Sequence, residues 1–224
     1  MKQAIILLAF ILQALYVYAQ DSVVYKGITI CQGDFLFVGA QSENLSGAIN
    51  RVTQRTSNIS FDHVGLIQII DGHAHILHAS SKKGSVVEPL DSLIKDNYDD
   101  VKLYALYRID SIYQKAIPEA VANAHQMLGK PYNWTYILND GSYYCSDFVE
   151  RAFRHIGLFE LEPMTFKNPK TGDFDEFWVT FYANQGITIP EGELGCNPNG
   201  MAASSHIHHV GSFHAGGESN QKRL

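Results

Sequence analysis

Phe61-Asp62-His63-Val64-Gly65-Leu66-Ile67-Gln68-Ile69-Ile70 is followed by Asp71-Gly72 and then by His73-Ala74-His75-Ile76-Leu77-His78-Ala79. Two runs rich in β-branched and apolar residues flank an Asp-Gly pair, a strong signal for a two-residue hairpin turn. The stretch therefore predicts two antiparallel strands. With such a turn, directly opposed residue numbers sum to about 143. His63 would face Ser80, and His78 would face Gly65. Side chains alternate across a strand, so the two imidazoles fall on one face, two rungs apart. A lone histidine in an apolar strand is more often a hydrogen-bonded, half-buried residue than a catalyst. The pair becomes a site only with a third reactive group.

Outward from the hairpin the pattern extends both ways. Upstream, Val23 to Tyr25 reads as a short strand, Gly33-Asp34 as a turn and Phe35 to Val38 as a buried strand. Ser42 to Thr53 carries Leu45, Ala48, Ile49 and Val52 at helical spacing, with Ser42 as N-cap. Downstream, Lys82-Lys83-Gly84 turns the chain into Ser85–Glu88, and Pro89, Leu90, Leu93 and Ile94 suggest a short helix. Val101 to Ile109 alternates as a strand. The strands together read as an antiparallel meander. A helix opens near Pro118 and ends at Gly129-Lys130-Pro131. An aromatic loop over 132–142 leads into Tyr143-Tyr144-Cys145-Ser146-Asp147-Phe148-Val149. Further on come a helix over 175–184, a Gly- and Pro-rich loop over 190–201 and a last strand over 207–213. Most strands precede the later helices, which predicts an α+β fold rather than βαβ units.

Lys2, the apolar run from Ala4 to Tyr18 and Val17-Tyr18-Ala19 have the form of a signal peptide cleaved after Ala19. The run falls short of the roughly 20 apolar residues that a membrane helix needs, although a retained anchor is the alternative. The expected organisation is a leader over 1–19, one domain over 20–214 and a flexible tail over 215–224. The chain would be exported to a periplasmic or extracellular space. Acidic residues outnumber basic ones, the formal charge is −6, and no basic stripe is present, which excludes nucleic acid as the expected partner. Three cysteines are too few for a disulfide scaffold. Cys31 and Cys196 either pair or stay reduced; if they pair, Cys145 is the thiol left over.

Cys145 is the third group. Phe148, Val149, Ala152, Phe153 and Ile156 recur at helical spacing, so Cys145 sits in the first turn of a helix, where free N–H groups and the helix dipole favour a thiolate. A buried structural thiol is the alternative. Cysteine hydrolysis needs a thiolate, an imidazole to take and return its proton, and a polar group to orient that imidazole. A helix start facing a strand-borne histidine pair supplies all three, with the sulfur expected within about 4 Å of a His63 ring nitrogen. The oxyanion of the tetrahedral intermediate would be held by the Cys145 main-chain N–H and a second donor. Tyr182 is the candidate for the latter, with a core aromatic beside Trp178 and Phe181 as its alternative role. His206, His208 and His209, with His214 beyond, show a His-x-His spacing, but no acidic or cysteine partner lies at zinc spacing. No metal or other cofactor is assigned.

Gly33-Asp34-Phe35-Leu36-Phe37, Asp62-His63-Val64-Gly65, Ile76-Leu77-His78-Ala79-Ser80, Gly129-Lys130-Pro131-Tyr132-Asn133-Trp134 and Tyr144-Cys145-Ser146-Asp147, in this order, resemble the circularly permuted, NlpC-type papain-like amidases, in particular their YiiX/YebB-like branch. Pro190-Glu191-Gly192 and Asn197-Pro198 extend the resemblance over most of the expected domain. It implies a permuted papain-like fold: an antiparallel β-meander or barrel packed on helices, with the cysteine at a helix N-terminus. It also implies Cys145 as nucleophile, His63 as general base and His78 as the orienting third residue. That branch usually carries a glutamate in the third place; here it is His78, an orienting group without a fixed negative charge. The implied function is cleavage of an amide bond through an acyl-enzyme thioester, in cell-wall peptides or other acylated amines, with possible contact to the cell envelope. Two alternatives stand beside it. One is a lipid or ester acyl hydrolase or acyltransferase, since lecithin:retinol acyltransferase-type enzymes are similar to this group. The other is a non-catalytic peptide- or lipid-binding module.

Overall fold

The Asp71-Gly72 turn joins β4 (Phe61–Ile70) to β5 (His73–Ser80). Both turn residues take the positive φ that the tight hairpin turn requires, 50° and 75°. The ladder runs from Leu66↔Leu77 to Ile70↔His73, the register that the two-residue turn dictates. This computed structural model describes residues 22–41, 44–55, 60–96 and 102–215. The expected leader, the Ser42 cap and the tail beyond 215 lie outside the described residues.

β6 (Gly84–Pro89) adds to β5, with His78 opposite Val86 and Ile76 opposite Glu88. β3 (Phe35–Gly39) pairs with the other edge of β4. A bulge falls there: Val38 opposes His63 while Gly39 opposes Phe61, so Asp62 is the extra residue. β7 (Leu103–Ile109) does not continue the meander beyond β6. It pairs with β3, and β10 (Ile207–His214) pairs with β7, giving the order β10-β7-β3-β4-β5-β6. Tyr104, Ala105, Leu106 and Ile109 are all buried, as suits a strand covered on both faces rather than one at a sheet edge. Among the described residues the sheet is open, with β6 and β10 at its edges, and does not close into a barrel. A small hairpin of β1 (Ser22–Tyr25) and β2 (Ile28–Cys31) precedes it; only its first strand was legible in the sequence.

One sheet face presents Phe35, Phe37, Val64, Leu66, Leu77 and Ala79 to α3 (Ile117–Gln126) and α4 (Cys145–Phe153). Phe148, Val149, Ala152 and Phe153 of α4 are fully buried, at about 1.5–3 kcal/mol for each large side chain. The other face carries Leu36, Val38, Ile67 and Ile76 under Leu90, Leu93 and Ile94 of α2 (Leu90–Asp96). A third cluster lies beside the sheet. It joins α1 (Asn44–Thr53) and α5 (Glu176–Gln185) around Tyr144, Phe166, Trp178 and Tyr182. Asp175 caps α5 by accepting from the Phe177 N–H and also receives the Arg51 guanidinium of α1 at 2.7 Å. β8 (Glu162–Pro163), β9 (Leu194–Gly195) and α6 (Pro198–Ala202) close the molecule near the start of α4. Among the described residues no helix is long and apolar enough to cross a membrane. The architecture is α+β, an antiparallel sheet packed against helices.

Candidate active site

Tyr144, extended at φ −96° and ψ 168°, delivers Cys145 into the first turn of α4. The β4–β5 ladder stops at Leu66↔Leu77, so the main-chain groups of β4 that face β5 have no strand partner beyond it. The Cys145 thiol fills that place. Its Sγ lies 4.0 Å from the Asp62 carbonyl, to which it donates, and the Val64 N–H is directed at it. The sulfur therefore rests on the main chain on either side of His63. The expected thiol–imidazole hydrogen bond is not made in this conformation; the Asp62 carbonyl takes its place. The thiol is only 4% exposed, and burial pushes its pKa up to about 12 despite the helix start. The sequence led one to expect a depressed value. Desolvation of a buried thiolate outweighs a helix dipole, and it dominates here.

His63 and His78 meet as the hairpin geometry requires. Their rings lie edge to face, with His63 Nε2 and His78 Nδ1 2.7 Å apart. His78 is buried, and its Nε2 lies 2.9 Å from Glu88 Oε1. Glu88 Oε2 in turn accepts from Lys83 Nζ at 2.6 Å. The three side chains descend diagonally across β4, β5 and β6 on one face. Gly65 makes the diagonal feasible: a Cβ there would come within 2.6 Å of the Ile76 side chain and 3.0 Å of the His78 Cβ. Burial, then His78 and Lys102, hold the His63 pKa well below its ordinary value, so its ring rests neutral. The hydrogen bond from His78, together with Lys83, pulls Glu88 down to about 2 and keeps it ionised. Sequence reasoning missed Glu88. The same turn arithmetic carried one strand further, across Lys82-Lys83-Gly84, would have put it beside His78.

Two cavities flank this arrangement. One, of ≈ 260 Å³, opens beside Cys145 and is walled by apolar side chains, among them Val52, Met164, Phe166 and Trp178. The other, of ≈ 200 Å³, is of mixed lining; His63, His78, Glu88, Lys82 and Lys102 stand in its wall with Val38, Leu45 and Leu93. Ile49, Asp62 and Tyr132 line both. Asp62 lies 4.0 Å from Lys102 and is raised above the usual carboxylate range, chiefly by burial. Tyr182 is placed elsewhere. Its hydroxyl donates to the Thr135 carbonyl at 3.1 Å within the aromatic cluster, and it does not line the cavity of Cys145. It braces the loop that Asn133 also ties, through Thr135 and Ile137. That loop presents Tyr132 and Tyr136 to the thiol. Tyr136 is held at φ 58°, a conformation that is costly for an aromatic residue and that concentrates at functional sites. Burial raises both hydroxyls above the ordinary tyrosine range, so both remain protonated donors.

The remaining histidines of the C-terminal segment go elsewhere. His208 Nδ1 meets Asp110 at 3.0 Å and His209 Nε2 meets Ser212 at 2.7 Å. Among the described residues no three His, Cys, Asp or Glu side chains converge as a metal-ligand set. Cys31, Cys145 and Cys196 are all unbridged.

A thiol that opens a helix packed on an antiparallel sheet, with histidine-bearing strands preceding it in the chain, defines a papain-like hydrolase with its segments permuted. The chain belongs to the family of permuted papain-like amidases, YaeF/YiiX, C92, whose model matches residues 29–211. It is also similar to the crystal structure of the metalloprotein yiiX from Escherichia coli O157:H7. The identity is 19% and the TM-score 0.64, over 81% of this chain and 97% of that one, a likeness of fold. No curated protein matches the chain.

Proposed function

We propose that the protein is an exported cysteine amidase that removes an apolar acyl group from a polar amine. The observation that carries this reading is the placement of Cys145 against the main chain of Asp62 and Val64, on either side of the His63 that pairs with His78, with an apolar-walled cavity beside the thiol. For catalysis the Cys145 side chain turns away from the Asp62 carbonyl and brings the thiol proton to His63. Sulfur then attacks the acyl carbonyl. The Cys145 main-chain N–H, free at the helix start, holds the oxyanion, with Tyr132 or Tyr136 as second donor in place of Tyr182. His63 returns the proton to the departing amine, leaving a thioester that water hydrolyses. Because burial holds the thiol at about 12, proton transfer accompanies attack rather than preceding it as a resting ion pair.

The apolar lining beside the nucleophile favours an acyl chain over the charged stem of a cell-wall peptide, and it keeps the lipid acyl alternative in view. Mass spectrometry of wild type and Cys145→Ala, incubated with N-acyl amines, acyl esters and cell-wall fragments, tests the reading. Wild type alone should release amine from the N-acyl series and carry a transient acyl adduct. Release by both proteins, or by neither on any substrate, would sink the enzyme reading. Intact mass of protein recovered outside the cytoplasm reads the export step: cleavage after Ala19 leaves Gln20 as the first residue.

A further inference from the structure

We infer that Glu88 is the positioning residue of the site: its carboxylate dictates which ring nitrogen of His63, two strands away, is the base. This rests on the cysteine amidase reading above. An ionised carboxylate only accepts hydrogen bonds. Glu88 Oε1 lies 2.9 Å from His78 Nε2, so that nitrogen carries the proton. In a neutral imidazole the other nitrogen is then a lone pair, so His78 Nδ1 accepts. Its partner at 2.7 Å is His63 Nε2, which must donate. The lone pair of His63 is left on Nδ1, the nitrogen not engaged with His78. One carboxylate thus sets two tautomers in sequence, and the second is the one that general-base catalysis needs.

Lys83 completes the device. Its Nζ donates to Glu88 Oε2 at 2.6 Å, so the two carboxylate oxygens face two donors. The proton of Cys145, on transfer, binds His63 Nδ1 and makes an imidazolium; the Nε2 proton stays shared with His78, and the Glu88 charge lies at the end of the chain as its counter-ion. No other group changes protonation. This explains how His78 serves where a glutamate is usual in the family it resembles: the negative charge is present, one residue further along the diagonal.

The same geometry yields a test that a merely structural role would not pass. In Glu88→Gln the side chain keeps its shape but has one acceptor and one donor end. The Lys83 ammonium can only donate, so the amide oxygen turns to Lys83 and the NH₂ faces His78. His78 Nε2 must then accept, its Nδ1 must carry the proton, and His63 Nδ1 is protonated in turn, unable to act as base. In Glu88→Gln/Lys83→Met the amide oxygen is released to face His78, and the productive tautomers return. A wrong tautomer imposed in this way costs up to about 10⁴-fold in related hydrolytic triads. Cys145 alkylation by iodoacetamide at neutral pH is the readout, with circular dichroism and melting to confirm folding, and no substrate is required. The Glu88→Gln rate should fall about 100-fold or more, and the double variant should recover at least tenfold over the single one. Histidine ring ¹⁵N spectra supply the second readout: His63 and His78 should be Nε2–H in wild type and Nδ1–H in Glu88→Gln. Unchanged tautomers, or a double variant no faster than the single, would overturn the inference while leaving the amidase reading intact. Wild-type alkylation that is indifferent to His63→Ala would overturn the amidase reading itself, and this inference with it.

Discussion

A methyl group at Gly65 would sit 2.5 Å from Ile76 Cδ1 and 3.0 Å from the His78 Cβ. Ile76 is fully buried, so it has nowhere to move, and the strain is relieved by displacing β5 from β4. Gly65→Ala should cost about 1–3 kcal/mol, as overpacking of a core does. Because His78 is one of the two neighbours, Cys145 alkylation should fall together with stability. Denaturant unfolding and alkylation rate measured on one sample check both; a stable variant with wild-type reactivity would contradict the role assigned to Gly65. At this scale the sequence was uneven. His63 and His78 were legible because a two-residue turn leaves no freedom in the register. Tyr136 was not, because it lies in an aperiodic loop whose path is set by Asn133, Thr135 and Tyr182 rather than by any repeat. The thiol was misjudged because a helix start is visible in sequence and desolvation is not.

Helix α4 carries a titratable group that the chemistry does not use. Asp147 is fully buried two residues beyond Cys145 and is pushed up from 3.8 to about 6, chiefly by burial and against the pull of Arg151. Arg151 and Glu150 face it from its own helix and Arg154 from the turn that follows, and it adjoins Tyr144 and Cys196. A folded-state pKa above the unfolded value means that the native protein binds the proton more tightly. Its contribution to stability is therefore full below 3.8 and is lost as pH rises through about 6, a change of about 3 kcal/mol at most. Asp147→Asn removes this titration. The difference in unfolding free energy between wild type and variant, followed from pH 4 to 7.5 at roughly half-unit steps, should shift toward the variant across that window. A flat difference would show that Asp147 titrates normally. The elements themselves were largely legible: α4 by its apolar spacing, β4 and β5 by their turn, α3 by its proline near the start. β7 was misplaced, because adjacency in sequence suggested a place beside β6, whereas its burial on both faces puts it between β3 and β10.

Across the whole molecule the site is asymmetric. The sheet side supplies the imidazoles, Glu88 and two lysines around a cavity of mixed lining. The side built by α1, α5 and the segment around β8 and β9 supplies an apolar one. The thiol lines the apolar cavity, which shares Ile49, Asp62 and Tyr132 with the other one; on the proposed reading the scissile carbonyl lies at the thiol, with the acyl part reaching toward Val52, Met164 and Trp178. Arg55 and Glu162 form an ion pair in the lining of this cavity. If the acyl group occupies this space, reducing it should discriminate by chain length rather than reduce all turnover. Val52→Trp, one turn beyond the core residue Ala48 on the same face of α1 and half-buried against the aromatic cluster, narrows the cavity without replacing Cys145, His63 or His78. The kcat/KM for an octanoyl amide should fall about tenfold or more, since each methylene lost from an apolar pocket is worth about 1–3 kcal/mol. An acetyl amide of the same amine, too short to reach Val52, should change little. Equal losses for both would place the acyl chain elsewhere, and an unchanged octanoyl rate would mean that the cavity serves the amine or no substrate at all.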